Sequence, residues 1–335
     1  MNTKRWIAII VAAVLIMVSI GVSTLSFVFT RDFTSLVDEL MEQDGYRQEV
    51  VEQGTNKEKI AVLKLDGVIQ DTGNVSSLLG GTGYNHQFFM KQLNEIYEDR
   101  TVKGVVLSVN TPGGGVVESA EIYDAIRLIQ NERDIPVYVS MGSMAASGGY
   151  YVSAPADKIF VNPETMTGSI GVIMESVNYA KLAENYGIEF NTIKTGPYKD
   201  IMSGSREMTD EERDMLQEMI NDSYERFVDI IVDGRNMTEK EVKKVADGRI
   251  LNGRQAIEAG LADDYGKLQE TIDALKTDYE LDNPTVFEYK LMDSFSSLMG
   301  MKMQALFGGT SEKEMIASIL SHYNSPRMMY LYGEY

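Results

Sequence analysis

One stretch constrains the fold of this chain more than any other. An apolar, β-branched run, Pro136-Val137-Tyr138-Val139, leads into Ser143-Met144-Ala145-Ala146-Ser147-Gly148-Gly149-Tyr150-Tyr151. The apolar run reads as a buried strand, and the residues from Tyr150 to Ala154 can continue as a helix. Ser147 then stands on a strand-to-helix turn among residues small enough for other backbone to come close. The first N–H groups of a helix have no partner inside it and can hold an anion. A serine placed there suits an acyl-transfer enzyme, because the same N–H groups can stabilise an oxyanion.

The choice of base is narrow. The chain has no cysteine and two histidines, His86 in a Gly-rich loop and His322 in a polar tail. Neither position favours a Ser-His-Asp triad, so a lysine is the natural partner for a serine nucleophile. The absence of cysteine also excludes disulfides and thiolate zinc sites, and two distant histidines argue against a zinc hydrolase. No metal or cofactor is expected, although a carboxylate magnesium site stays open. A formal charge of −19 argues against nucleic acid and against anionic lipid headgroups as partners.

The N-terminus carries an uncharged run from Trp6 to Phe29, long enough for a bilayer-spanning helix, which needs about 20 residues. Lys4 and Arg5 precede it, and Asp32, Asp38, Glu39, Glu42 and Asp44 follow. The positive-inside rule puts the N-terminus in the cytoplasm and the rest outside. A cleaved signal peptide is the rival, but the run exceeds a typical h-region and no clear Ala-x-Ala site follows. The expected layout is an anchor over 1–30, a polar stalk over 31–58, a catalytic domain over 59–293 and an extension with a flexible tail over 294–335.

Within the domain, strands are expected at 60–65, 104–110, 136–140, 158–161, 170–174, 188–193 and 285–291. Helices are expected at 88–99, 117–131, after Ser147, at 178–186 and from Thr209 to about 232. Thr209 and Glu212 form a capping-box pattern, as do Thr238 and Glu241. The helix starting at Gly253 closes at Gly260. This alternation defines an α/β fold.

Three glycine-flanked segments could meet at one site: Gly113-Gly114-Gly115, Ser147-Gly148-Gly149 and Thr167-Gly168-Ser169-Ile170-Gly171. Taken singly, each is also explained by a tight turn or close helix packing. The first lacks a following Gly-Lys-Ser/Thr, so it is no phosphate loop. Ala145-Ala146-Ser147-Gly148-Gly149 departs by one residue from the Gly-x-Ser-x-Gly elbow.

Together with Asn110-Thr111-Pro112, Gly196-Pro197-Tyr198-Lys199 and Gly248-Arg249-Ile250-Leu251-Asn252-Gly253-Arg254-Gln255-Ala256, these segments resemble, in order, the signal peptide peptidase A family of membrane-anchored bacterial serine peptidases. The resemblance spans residues 58–290. It implies the crotonase-like fold shared with the proteolytic subunit of Clp protease, preceded here by one transmembrane helix, in a short form with both dyad members in one domain. It implies a Ser-Lys dyad of Ser147 as nucleophile and Lys199 as general base. By the same resemblance, Gly114 and Gly148 would form the oxyanion hole and Ser169 would hold Lys199. The implied substrates are signal peptides left after preprotein processing. The implied assembly is a homo-oligomeric dome, with an octamer as the candidate number, bound to the bilayer through residues 6–29.

Physical chemistry adds a condition. A free lysine has a pKa of about 10.4, and acting as a base near neutrality requires lowering it by about 3, worth about 4 kcal/mol. The acidic charge of the chain and the neighbouring Asp200 push the other way. Lys199 must therefore be desolvated, and Tyr198 and Ile201 could supply the walls. Val116, Val117 and Met144 stand near the motifs and are candidates to line an apolar groove, though ordinary core packing also explains each. The apolar tail, Ser325-Pro326-Arg327-Met328-Met329-Tyr330-Leu331-Tyr332 and onward, is expected either to fill such a groove as a pseudo-substrate or to be a free end or interface strand. Two alternatives stay open. One is a crotonase-type acyl-CoA enzyme using Glu118 or Glu121, and the other is a non-catalytic membrane scaffold.

Overall fold

The computed structural model describes residues 46–71, 84–291 and 328–333. Its contacts divide the chain into two units: Met1–Arg47 with Lys290–Met299, and Gln48–Tyr289 with Gly300–Tyr335. Most of the first unit, including the anchor expected over residues 6–29, lies outside the described residues. Among the described residues no helix is long and apolar enough to cross a membrane.

The second unit is built on a mostly parallel sheet with helices on both faces. Its strands are β1 (Tyr46–Glu52), β2 (Lys59–Asp66), β3 (Val102–Thr111), β5 (Val137–Ala146), β6 (Lys158–Val161), β7 (Met166–Gly168), β8 (Ile250–Asn252), β9 (Asp264–Tyr265) and β10 (Thr285–Leu291). They run in the order β1-β10-β2-β3-β5-β6-β9, with β7 joining β5 to β8. A short strand β4 (Gly113–Gly115) pairs with β11 (Met329–Leu331) in a separate ribbon. The first helices are α1 (His86–Glu98), α2 (Val116–Arg133), α3 (Gly148–Ser153) and α4 (Ala180–Asn185). They are followed by α5 (Asp210–Arg235), α6 (Glu239–Lys243), α7 (Gly253–Glu258) and α8 (Leu268–Asp278).

Burial on both faces accounts for the unbroken apolar strands. On β2, Ile60 and Val62 join Val106, Tyr138 and Val286 against Ile272 and Leu275 of α8. The opposite pleat, Ala61, Leu63 and Leu65, is equally buried. Leu275, fully buried, contributes about 2 kcal/mol through the water it sheds.

Sequence and structure differ at instructive places. β1 takes up part of the stretch expected as a stalk, so the sheet starts earlier than residue 59. β5 continues past Ser140 to Ala146 because β7 takes over as its neighbour: Met144, Ala145 and Ala146 pair with Met166, Thr167 and Gly168. Residues 170–174 are not a strand beyond an isolated bridge at Ile173. Residues 188–193 are not one either: they are exposed, Ile193 fully so. Their apolar alternation finds no neighbouring strand among the described residues. The helices with a capping box in the sequence form as expected, and Thr209 and Thr238 each exchange hydrogen bonds with the residue three positions on.

Helix α5 docks against the end of α3 through Gly234, where a Cβ would stand 2.2 Å from the Ala154 carbonyl oxygen. Replacing a glycine inside a free helix by alanine stabilises by about 1 kcal/mol. Gly234→Ala is expected to destabilise this protein by about 1–3 kcal/mol through overpacking, read as a lower Tm. An unchanged or higher Tm would contradict the docking.

Candidate active site

Ser147 is where β5 becomes α3. Its backbone has φ 54° and ψ −115°, a conformation that costs a non-glycine residue on the order of 1–3 kcal/mol. The surroundings over-determine it. Ser147 N–H donates to Gly168 O at 2.8 Å, and Tyr151 N–H donates to Ser147 O at 2.9 Å. Thr167 Oγ1 donates to Ala145 O at 2.6 Å and Tyr150 OH to Leu261 O at 2.9 Å. The backbone at Ser147 is thus held where α3 begins, and Ser147 is buried.

Gly113-Gly114-Gly115 forms β4, next to this turn. On one side Ile69 N–H donates to Gly113 O at 2.8 Å and Gly115 N–H to Ile69 O at 2.7 Å. On the other side the C-terminal strand β11 runs antiparallel, with Met329, Tyr330 and Leu331 opposite Gly115, Gly114 and Gly113. Gly113 has φ 101°, and a Cβ on it would stand 2.0 Å from Tyr330 O and 2.6 Å from Gly148 N. A Cβ on Gly148 would stand 3.1 Å from both Gly114 N and Tyr330 O. The Tyr330 carbonyl oxygen therefore lies in the same corner as the backbone nitrogens of Gly114 and Gly148.

The tail is held along its length. Met329 exchanges two hydrogen bonds with Ile173, at 2.9 and 3.0 Å, and Tyr332 N–H donates to Pro112 O at 2.9 Å. This is strand addition to a sheet edge, a mode by which extended peptides bind. The Tyr330 side chain is fully buried. Its ring stacks on Tyr151 at 4.8 Å and meets Phe227 at 4.9 Å, and its hydroxyl donates to Ser223 O at 2.8 Å. Burial pushes its phenol well above the ordinary range. The residues that grip Tyr330 were not among those expected to line the groove. Val117 is exposed, while Val116 and Met144 are half-buried. Tyr151 could have been found, as a second aromatic just past the serine. Ser223 and Phe227, one helical turn apart on α5, gave no signal tying them to Ser147.

The lysine departs from expectation. Lys199 is exposed, not buried, and Tyr198 is no apolar wall: it is exposed, and its hydroxyl donates to Glu211 Oε1 at 2.6 Å. Ile201 is only half-buried. Asp200 is engaged by other cations. Its Oδ1 accepts from Lys194 Nζ and from Arg206 Nη2, each at 2.6 Å. Arg206 also forks onto Glu212, with Nη1 to Oε2 at 2.7 Å. Those bonds to Arg206, then to Lys194, hold the Asp200 carboxyl far below its ordinary range. Arg206, followed by the Thr209 N–H, holds Glu212 at about 2. The turn is thus clamped to the start of α5 while the Lys199 ammonium and the Ser147 hydroxyl each lack a hydrogen-bond partner among the described residues. Ser169 is buried with φ 50°, its N–H donating to Arg249 O at 2.8 Å. Its hydroxyl makes no bond to Lys199 within the chain.

The other titratable groups near the site are already engaged. His86 opens α1 and is buried, with Tyr84 OH 2.6 Å from Nδ1 and Glu121 Oε2 2.6 Å from Nε2. Glu118 Oε1 accepts from Asp71 N–H at 3.1 Å. Neither carboxylate of the acyl-CoA alternative is therefore idle. Among the described residues no group of acids and histidines is placed to hold a metal ion.

A strained serine at a strand-to-helix turn, glycine backbone beside it and an edge that accepts a peptide strand suit a serine hydrolase of the Clp protease type. The comparisons agree. The model of "Peptidase family S49" matches residues 129–282, and that of "Clp protease" matches 84–169. The chain is 41% identical, over 99% of both chains, to a "Putative signal peptide peptidase SppA" of Enterococcus faecium. It is 32% identical to "Protease 4" of Salmonella typhi, over 74% of this chain and 40% of that one. It is 30% identical to a chloroplastic "Serine protease SPPA" of Arabidopsis thaliana, over 64% of this chain and 32% of that one. The chain belongs to peptidase family S49 and is a serine peptidase.

The tail competes with any peptide for this edge. Removing the residues after Pro326 is expected to lower the KM for an apolar peptide about tenfold with little change in kcat, since occupancy by a tethered segment taxes every binding event. A KM equal to that of the full chain would show that the tail does not occupy the working groove.

Proposed function

We propose that this chain is a membrane-anchored endopeptidase that cleaves extended, apolar peptides, signal-peptide remnants among them, with Ser147 as nucleophile and Lys199 as general base. The observation that carries this reading is the peptide strand of the tail, whose Tyr330 carbonyl oxygen lies beside the N–H groups of Gly114 and Gly148. A substrate in the same register would present its carbonyl to Ser147 with the preceding side chain in the aromatic pocket of Tyr151 and Phe227. The substrate class follows the names of the relatives and the apolar walls. The anchor over residues 6–29, the cytoplasmic N-terminus and the extracytoplasmic catalytic domain over 59–293 follow from the charge pattern of the sequence.

Among the described residues of one copy, no hydrogen bond joins Lys199 to Ser147. Lys199 is exposed on a clamped turn, in a segment that also exposes Ile173, Val177, Leu182, Tyr186, Ile188 and Ile193. An apolar surface of this kind on a folded protein marks an interface. A second copy seated there would desolvate the segment, deliver Lys199 to a neighbouring Ser147 and allow Ser169 to hold it. Head-to-tail repetition of such a contact closes a ring, in keeping with a dome-shaped homo-oligomer.

Two measurements test this. Ser147→Ala and Lys199→Ala, each assembled alone in the full chain, should be inactive on a fluorogenic apolar peptide. Co-assembled in equal amounts, they should regain about a quarter of wild-type activity, because random mixing in a head-to-tail ring pairs an intact serine with an intact lysine at that frequency. No recovery would mean that both residues act within one copy. The pH profile supplies the second. Asp200 and Glu212 are depressed below their ordinary 3.8 and 4.5, so the clamp is whole above the ordinary values and is lost only as pH falls through the depressed ones. An acid limb of kcat/KM that appears well above those values, while the fold stays intact, then does not come from the clamp. A limb that coincides with loss of folded signal below about pH 5 would assign it to the carboxylates instead.

A further inference from the structure

Ser119, in the first turns of α2, is fully buried and its hydroxyl has no hydrogen-bond partner among the described residues. A buried hydroxyl in this state calls for an explanation. A helical serine has a ready acceptor in the carbonyl four residues back. Ser153 uses it, donating to Gly149 O at 2.7 Å, and Ser119 does not. Its oxygen lies elsewhere: the point where a Cβ on Gly148 would stand is 2.7 Å from Ser119 Oγ, 3.1 Å from Gly114 N and 3.1 Å from Tyr330 O. The idle hydroxyl borders the same small volume as the oxyanion-hole donor and the carbonyl of the bound strand.

We infer that Ser119 is a third donor of the oxyanion hole, a catalytic residue that donates its hydroxyl hydrogen to the substrate carbonyl oxygen once that oxygen becomes negative. The inference rests on the assignment of Ser147 as nucleophile. In the attack, Ser147 Oγ bonds to the carbonyl carbon, the π pair moves onto the oxygen, and the hydroxyl proton passes to the Lys199 amine. Collapse reforms the carbonyl and breaks the C–N bond, and the proton goes from Lys199 to the departing amine. A planar carbonyl offers two lone pairs, and the backbone nitrogens of Gly114 and Gly148 stand beside it. The tetrahedral oxyanion offers three. A hydroxyl that rotates toward it engages only in the transition state, which is the condition for accelerating the chemical step.

The competing reading is that Ser119 is merely small enough to fit beneath Gly148. Ser119→Ala in the full chain separates the two, since it keeps the size and removes the oxygen. Expected are a kcat lowered by about tenfold or more, an unchanged KM, and a Tm equal to or above that of the unmodified protein. A Met-Met-Tyr peptide aldehyde, which forms a tetrahedral adduct with the nucleophile, should lose affinity by the same factor as kcat. A synthetic peptide of residues 325–335, bound with planar amides, should keep its affinity. Wild-type kcat and aldehyde affinity would overturn the inference, as would a fall in both affinities together with Tm. Ser147→Ala run beside it keeps the two assignments distinct. An inactive Ser147→Ala with a fully active Ser119→Ala refutes Ser119 alone, whereas an active Ser147→Ala overturns the nucleophile and the third donor with it.

Discussion

Two backbones lie against the same three glycines, and the site depends on the missing side chains. A Cβ on Gly114 would stand 1.9 Å from Ile69 O, and one on Gly113 would stand 2.0 Å from Tyr330 O. A larger residue at Gly114 or Gly113 would push away either the Ile69 backbone that supports the edge or the strand that binds to it. With both in contact, Gly114 is held beside the turn at Ser147, and the backbone nitrogens of Gly114 and Gly148 share a corner with the Tyr330 carbonyl oxygen. The aromatic pocket of Tyr151, Phe227 and Ser223 then sets which residue of a bound strand comes to rest at that corner.

The second constraint is the strained conformation of Ser147. It is tolerated because β5 is held on its far half by β7, through register pairs that end at Gly168, the residue that accepts the Ser147 N–H. The chain thereby turns sharply enough to set a side chain at the start of α3 without unravelling either element. A donor set that is rigid before the substrate arrives needs no reorganisation during the reaction, which is where preorganised sites gain their rate. The clamp at Asp200, Arg206 and Glu212 has the same character at the lysine: the flanking side chains are tied down and Lys199 is left to be presented.

How much of this was legible follows the range of the interactions. The turn at Ser147 and the helix starts at Thr209 and Thr238 are local, written in residues a few positions apart, and the structure forms them as the sequence suggests. The pocket around Tyr330 joins residues more than a hundred positions apart, and only the apolar character of the tail hinted at a bound strand. Residues 188–193 alternate like a strand but meet no partner in the described residues, since alternation reports a propensity and not the presence of a neighbour. The requirement that a base lysine be desolvated is sound physics, yet Lys199 is exposed in a single copy. Among the described residues no surface covers it.

The most direct measurement is to label the assembled full chain with a Met-Met-Tyr fluorophosphonate probe and to locate the adduct by mass spectrometry. The account predicts modification at Ser147, blocked by excess tail peptide and lost when Lys199 is replaced by alanine throughout the assembly. An adduct on Ser169 or Ser119, or labelling of Ser147 that is indifferent to Lys199, would contradict it.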